Sequence, residues 1–173
     1  MKNILDIQKY KNYPIFKNLS NKEIEEFSSK IKLKKFNKND TIIKEGDEGD
    51  SILFLIDGDI NISQALTLMT NKDNEADNRE KELIRLSSKN DNISLGEISL
   101  FSVEKKRSAT VKAIEDCQIG ILEFDNLFEI CNSNHTVGFK IMQNISKIIT
   151  EHLLKSNHKV LKLTTAFSLL IDN

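Results

Sequence analysis

The residues best suited to chemistry lie in one stretch, Leu95–Ala113, which reads LGEISLFSVEKKRSATVKA. Gly96 and Glu97 head a short apolar turn. Arg107 follows, with the small residues Ser108 and Ala109 after it and a strand-like run beyond. A planar guanidinium meets an anion whose charge is spread over two oxygens with two parallel hydrogen bonds, which Lys cannot do. An ionised Glu only accepts hydrogen bonds, so Glu97 suits a hydroxyl group and not an anion. Gly96 lacks a Cβ and lets the backbone approach a ligand closely. The turn LGEISLF has the composition of a short helix, whose first N–H groups carry partial positive charge. These types fit a phosphate ester that carries a hydroxyl-bearing sugar. They also fit a structural Glu97–Arg107 ion pair that closes a loop, and the residues alone leave both readings open.

Either reading needs elements that hold the stretch in place. Upstream, YPIFKNLSNKEIEEFSSKI contains a capping box, Ser20 with Glu23, followed by Ile24, Phe27 and Ile31 at helical spacing. Pro14 precedes that helix and sets a turn. From Lys32 the pattern changes to short strands separated by turn pairs: Asn39-Asp40, Gly46-Asp47, Gly49-Asp50 and Asp57-Gly58. SILFLI, Ser51–Ile56, reads as a buried strand, and KELIRL, SATVKAI and CQIGILEF follow it. Many short strands at close spacing predict a sandwich, barrel or roll. Residues 66–82 are polar and mixed in charge, as in a flexible hairpin tip.

After Phe124 the helical period returns. FDNLFEICNSN predicts a short helix capped by Asp125. From His135 onward there is no proline and a single glycine, Gly138. Met142, Ile145, Ile149, Leu153, Ser156, Val160, Leu163, Phe167 and Leu170 recur at steps of three and four, a heptad-type stripe. A break at KSNHK is compatible with this pattern. One domain of this size cannot cover the whole stripe, so a second copy is expected to cover part of it. The expected division is an N-terminal extension over 1–12, a β-rich domain with flanking helices over 13–134, and a helical dimerisation segment over 135–173.

Bulk composition narrows the classes. The 173 residues suit one domain with a proper core, and 39% hydrophobic with 29% charged residues is a globular composition. A net charge of −1 argues against a general nucleic-acid binder, which shows a basic face. No apolar run reaches the roughly 18 residues of a membrane span, and the N-terminus has no signal-peptide pattern. Cys117 and Cys131 form no Cys-x-x-Cys pair and read as buried thiols in a reducing cytoplasm. His135, His152 and His158 share no helical face and no carboxylate cluster, so no metal site and no cofactor is expected. No nucleophile–base pair is legible, so no enzyme is expected.

Two stretches resemble the cyclic nucleotide-binding domain family, which includes bacterial catabolite activators and the regulatory subunits of cyclic-nucleotide-dependent kinases. The first is IIKEGDEGDSILFLIDG, Ile42–Gly58, similar to the family's glycine-turned strand pair. The second is Leu95–Ala113, similar throughout to its phosphate-binding cassette. The resemblance spans roughly Tyr13 to Leu163 and implies a mainly β fold, a jelly-roll-like β-roll with flanking helices and a long C-terminal helix. It implies that Arg107 holds the cyclic phosphate and that Glu97 takes the ribose 2′-hydroxyl beside the Gly96 backbone. Ile98 and Ser99 would offer backbone N–H groups, Ser108 a further polar contact, and Ala109 room for the ribose-phosphate. Ser108 stands where cGMP-preferring members often carry Thr, which points to cAMP.

The cassette departs from the family pattern at Lys106, where many members carry Pro. In catabolite-activator members a Thr-Ser pair on the long helix touches adenine. Counting without gaps from Arg107 puts those positions at His152 and Leu153, whose types differ, and a gap of one turn would bring Thr150 or Ser156 there instead. No recognition helix or basic patch follows the long helix in this sequence. The expectation is therefore a standalone sensor of cAMP, or less readily cGMP, that acts through an unnamed protein partner and not on DNA. A cyclic dinucleotide is a variant of that reading, with Lys105 and Lys106 near the pocket. The rival expectation is a scaffold with a ligand-free pocket whose long helix is the working surface.

Overall fold

A computed structural model of the chain describes residues 4–65 and 80–171. The chain opens with α1, Ile4–Tyr10, a single 3-10 turn at Pro14–Phe16, and α2, Asn21–Lys30. The capping box at α2 forms as expected: the Ser20 hydroxyl accepts from the Glu23 N–H, and the Glu23 carboxylate accepts from the Ser20 N–H. Eight strands are present among the described residues: β1 Lys32–Phe36, β2 Thr41–Ile43, β3 Ser51–Asp57, β4 Asp59–Ala65, β5 Glu80–Ser87, β6 Ser94–Leu95, β7 Thr110–Ala113 and β8 Cys117–Glu123. The segment read as a hairpin tip lies outside the described residues, except for its end in β5.

The strands form two antiparallel sheets, ordered β1-β8-β3-β6 and β2-β7-β4-β5. The fold is a mainly β roll with flanking helices. β3 explains why SILFLI is apolar at every position. Ile52, Phe54 and Ile56 face a core shared with the helices, while Leu53 and Leu55 face the roll interior with Ile43, Ile60, Val111 and Ile119. A strand buried on both faces loses the alternation that marks a half-exposed one.

The helical core is built around Phe54. Tyr13 meets it edge-on at 5.2 Å and Phe16 stacks on it at 5.4 Å, which pins the 3-10 turn to the sheet. Tyr10 of α1 is buried in the same cluster, so the segment 1–12, read from the sequence as an extension, holds a helix that contributes to the core. Its seven residues are too few to show a helical period.

Two helices follow β8: α4, Phe124–Ser133, and α5, His135–Ile171. Asp125 does not cap α4; the cap position is Glu123, and Asp125 lies in the first turn. His135 opens α5 and is not part of a preceding turn. α5 runs unbroken for 37 residues through KSNHK, about 55 Å. Its first half is packed: Val137, Ile141 and Ile145 are buried in the helical core. Buried Asn144 donates to the Ile15 and Lys17 carbonyls at 3.0 and 2.7 Å, which ties α5 to the 3-10 turn. From Thr150 to Ile171 every residue is exposed, including Leu153, Val160, Leu163, Phe167 and Leu170 of the stripe. Both cysteines are buried and free.

Candidate functional site

The register of the first sheet brings the candidate residues together. β6 pairs with β3 at Leu53↔Leu95, so the chain leaves the sheet at Gly96 beside the start of β3. Gly96 turns it with φ 101, a left-handed conformation that favours glycine, and caps α3, Glu97–Phe101. A Cβ at Gly96 would sit 2.4 Å from Arg107 Nη1 and 2.6 Å from the Ser51 carbonyl oxygen. The close approach expected of Gly96 is therefore already used inside the protein, against the guanidinium itself.

The glycine turn after β2 grips the Arg107 backbone. The Gly46 N–H donates to the Arg107 carbonyl at 2.9 Å, the Arg107 N–H to the Asp47 carbonyl at 2.8 Å, and the Gly49 N–H to the Lys105 carbonyl at 2.7 Å. A Cβ at Gly49 would lie 2.5 Å from Ser99 Cβ and 3.2 Å from Arg107 Cδ. Both stretches singled out in the sequence thus close on one side chain.

That side chain is buried, 8% exposed. Arg107 Nη1 donates to the Ser51 carbonyl at 2.8 Å and Nη2 to the Ser51 hydroxyl at 3.0 Å. Asp50 lies 3.6 Å from Nη2 and supplies the counter-charge. Burial lowers the guanidinium pKa and Asp50 opposes the shift, so the group stays cationic. Two of its five N–H donors are given to Ser51, and Nη2 also faces Asp50.

Glu97 is in the opposite condition. Its side chain is 3% exposed, and it makes no ion pair with Arg107, whose acidic partner is Asp50. Oε2 is buried with no hydrogen-bond partner among the described residues. Oε1 lies 3.6 Å from Nδ1 of His152 on α5. Burial pushes the carboxyl pKa up to about 7. A buried acceptor left unbonded costs about 1–3 kcal/mol, which a donated hydroxyl would recover.

The remaining sequence candidates spread around this pair. Ser99 is buried; its N–H donates to the Gly96 carbonyl at 3.2 Å and its hydroxyl to the Lys106 carbonyl at 3.1 Å, so its amide is already occupied. Ile98 is exposed on α3. Ser108 is exposed, and its carbonyl accepts from the Gln64 amide at 2.6 Å; Ala109 is half-buried. Of the two helix positions, His152 reaches Glu97, whereas Leu153 is 59% exposed. Sequence reasoning missed Ser51 and Asp50. They precede Arg107 by more than fifty residues, and no local pattern links the positions. His152 also borders a cavity of about 600 Å³ between the 3-10 turn, residues 92–94 and α5, with Lys11, Lys17, Lys147 and Lys155 around it.

Comparison with known proteins bears on the family and the fold. The family model for the cyclic nucleotide-binding domain matches residues 33–134. The chain is similar in fold to the Thermus thermophilus catabolite activator protein, with a TM-score of 0.70 at 19% identity over 87% of this chain and 63% of that one. It is similar to the regulatory domain of Toxoplasma gondii PKA, solved with cAMP, with a TM-score of 0.60 at 21% identity over 72% of this chain and 42% of that one. A curated relative, lysophospholipase NTE1 of Candida glabrata, is 24% identical over 146 residues, which is 77% of this chain and only 8% of that protein.

Proposed function

The chain belongs to the cyclic nucleotide-binding domain family, and from that premise we propose that it is a sensor of cAMP, and less readily of cGMP. The reading rests above all on the buried Oε2 of Glu97, which has no hydrogen-bond partner among the described residues, and on a braced, buried Arg107. Arg107 holds the cyclic phosphate, and Ile98 at the start of α3 offers its backbone N–H. Glu97 accepts the ribose 2′-hydroxyl on Oε2. Ser108 and Ala109 border the ribose-phosphate. The cAMP-bound kinase regulatory domain among the fold relatives supports the choice of nucleotide, as does Ser108.

The domain is regulatory and not catalytic, needs no cofactor, and works in the cytoplasm without contacting DNA. The lysophospholipase match covers too little of that enzyme to bring its activity with it. No helix among the described residues is long and apolar enough to cross a membrane. A second copy covers the exposed stripe of α5 from Leu153 to Leu170 as a coiled coil, and the pair signals to a protein partner.

Isothermal titration calorimetry with cAMP, cGMP and cyclic di-GMP tests the reading. Saturable binding of one mononucleotide, lost in Arg107→Ala, supports it. Silence from all three with protein stripped of carried-over ligand by unfolding and refolding overturns it in favour of a ligand-free scaffold.

A further inference from the structure

The contact between α5 and Glu97 assigns a role to a residue outside the cassette. We infer that His152 is the positioning residue through which α5 senses an occupied cassette: a ligand hydroxyl on one oxygen of Glu97 draws the imidazole at the other oxygen into an ion pair and docks the middle of α5. The inference rests on the nucleotide-binding reading above and concerns what that binding does to the helix.

The geometry divides the carboxylate between two partners. Oε2 is buried and free, and Oε1 faces Nδ1 of His152 at 3.6 Å, beyond a hydrogen bond and within ion-pair range. Glu97 belongs to the cassette and His152 to a different element, 49% exposed and able to move. The charges around the pair oppose its ionisation in the empty protein. Burial keeps a proton on Glu97 up to about pH 7. Burial and then Lys155 hold His152 below its ordinary value, with Glu151 acting weakly the other way. Lys11, Lys17 and Lys147 around the neighbouring cavity add further positive charge, and none of them is in an ion pair among the described residues. On the cassette side, Arg107 is occupied by Asp50. The empty contact is thus a protonated carboxyl near a neutral imidazole, and it holds α5 weakly.

A hydroxyl donated to Oε2 stabilises the carboxylate form. The proton leaves the Glu97 carboxyl and is taken up by the His152 imidazole, with no net uptake or release. The product is a carboxylate–imidazolium pair in a largely dry setting, where a charge-assisted bond is shorter and roughly twice as strong as a neutral one. Ligand and helix then favour each other through one carboxylate, and the coupling is reciprocal.

Proton NMR of the three histidine rings of the full chain, with and without saturating cAMP, tests this. The titration midpoint of His152 is expected to rise by about one pH unit or more on binding. In Glu97→Gln the rise of the His152 midpoint on saturation with cAMP is expected to be lost, since no carboxylate can form beside the ring. A His152 midpoint that does not move when calorimetry shows cAMP bound, or one that rises equally in cAMP-saturated Glu97→Gln, overturns the inference and leaves the sensor reading standing. Absence of any cAMP binding to the wild type overturns both.

Discussion

The two ends of the cassette are satisfied to different degrees. At the guanidinium end, Ser51 supplies two acceptors, Asp50 the counter-charge, and Gly46, Gly49 and Asp47 clamp the backbone. At the carboxylate end, a buried Glu97 has one oxygen with no partner and the other near a half-exposed histidine. The first end is satisfied by groups of the protein itself. The second is left incomplete and is finished by whatever donates to it. On the proposed reading, rigid preorganisation suits Arg107 as the anchor of the ligand, and an unsatisfied carboxyl suits Glu97 as the group that responds.

Substitutions can break or sharpen that contrast. Arg107→Ala should lower nucleotide affinity by about thirtyfold or more in calorimetry, since truncating a buried charged partner costs about 2–5 kcal/mol. Arg107→Lys should recover little of it, because the two-donor fork is lost. Gly96→Ala comes next. It forces a side chain into φ 101 and onto Nη1. A strain of about 1–3 kcal/mol should lower the melting temperature by several degrees and affinity by about tenfold.

Glu97→Gln should act in opposite directions on stability and binding. The free carboxyl ionises near 4.5 and the folded one near 7. The folded state therefore holds a proton that the unfolded state has lost, and stability falls as pH rises from 4.5 to 7 and stays lower above. The substitution should flatten that slope and raise the melting temperature at pH 8 by a few degrees, while weakening cAMP binding. Melting curves from pH 4.5 to 8 check it; a loss of stability at pH 8 would show that the carboxylate end is as well built as the other. The smallest effect is expected from Ser51→Ala, which removes the hydroxyl acceptor and leaves the carbonyl. Affinity should fall about two- to tenfold, in line with one hydrogen bond of about 0.5–1.5 kcal/mol.

The contrast also marks how far the sequence could be read. The strand succession, the Ser20 capping box and the Gly96-Glu97…Arg107 spacing are local patterns, and local patterns survive without a structure. The bracing of Arg107 by Ser51 is a contact between residues of ordinary type far apart in the chain, and sheet register alone makes it. Tyr10 was illegible for the same reason: its burial depends on Phe54. Counting along the chain reached His152 as a helix position near the pocket. It could not show that the ring turns towards Glu97, because direction depends on where α5 crosses α3. The choice between a closed Glu97–Arg107 pair and two separate groups likewise needed coordinates.

The absence of a break at KSNHK gives α5 a mechanical property. From His152 to Ile171 the helix extends 19 residues past its contact with Glu97, about 28 Å of continuous helix whose residues are all exposed in the single chain. A pivot of about 10° at His152 would carry the far end through about 5 Å, roughly the pitch of one helical turn. An event measured in tenths of an ångström at one carboxylate would thus be enlarged to the scale at which side chains on two packed helices exchange neighbours.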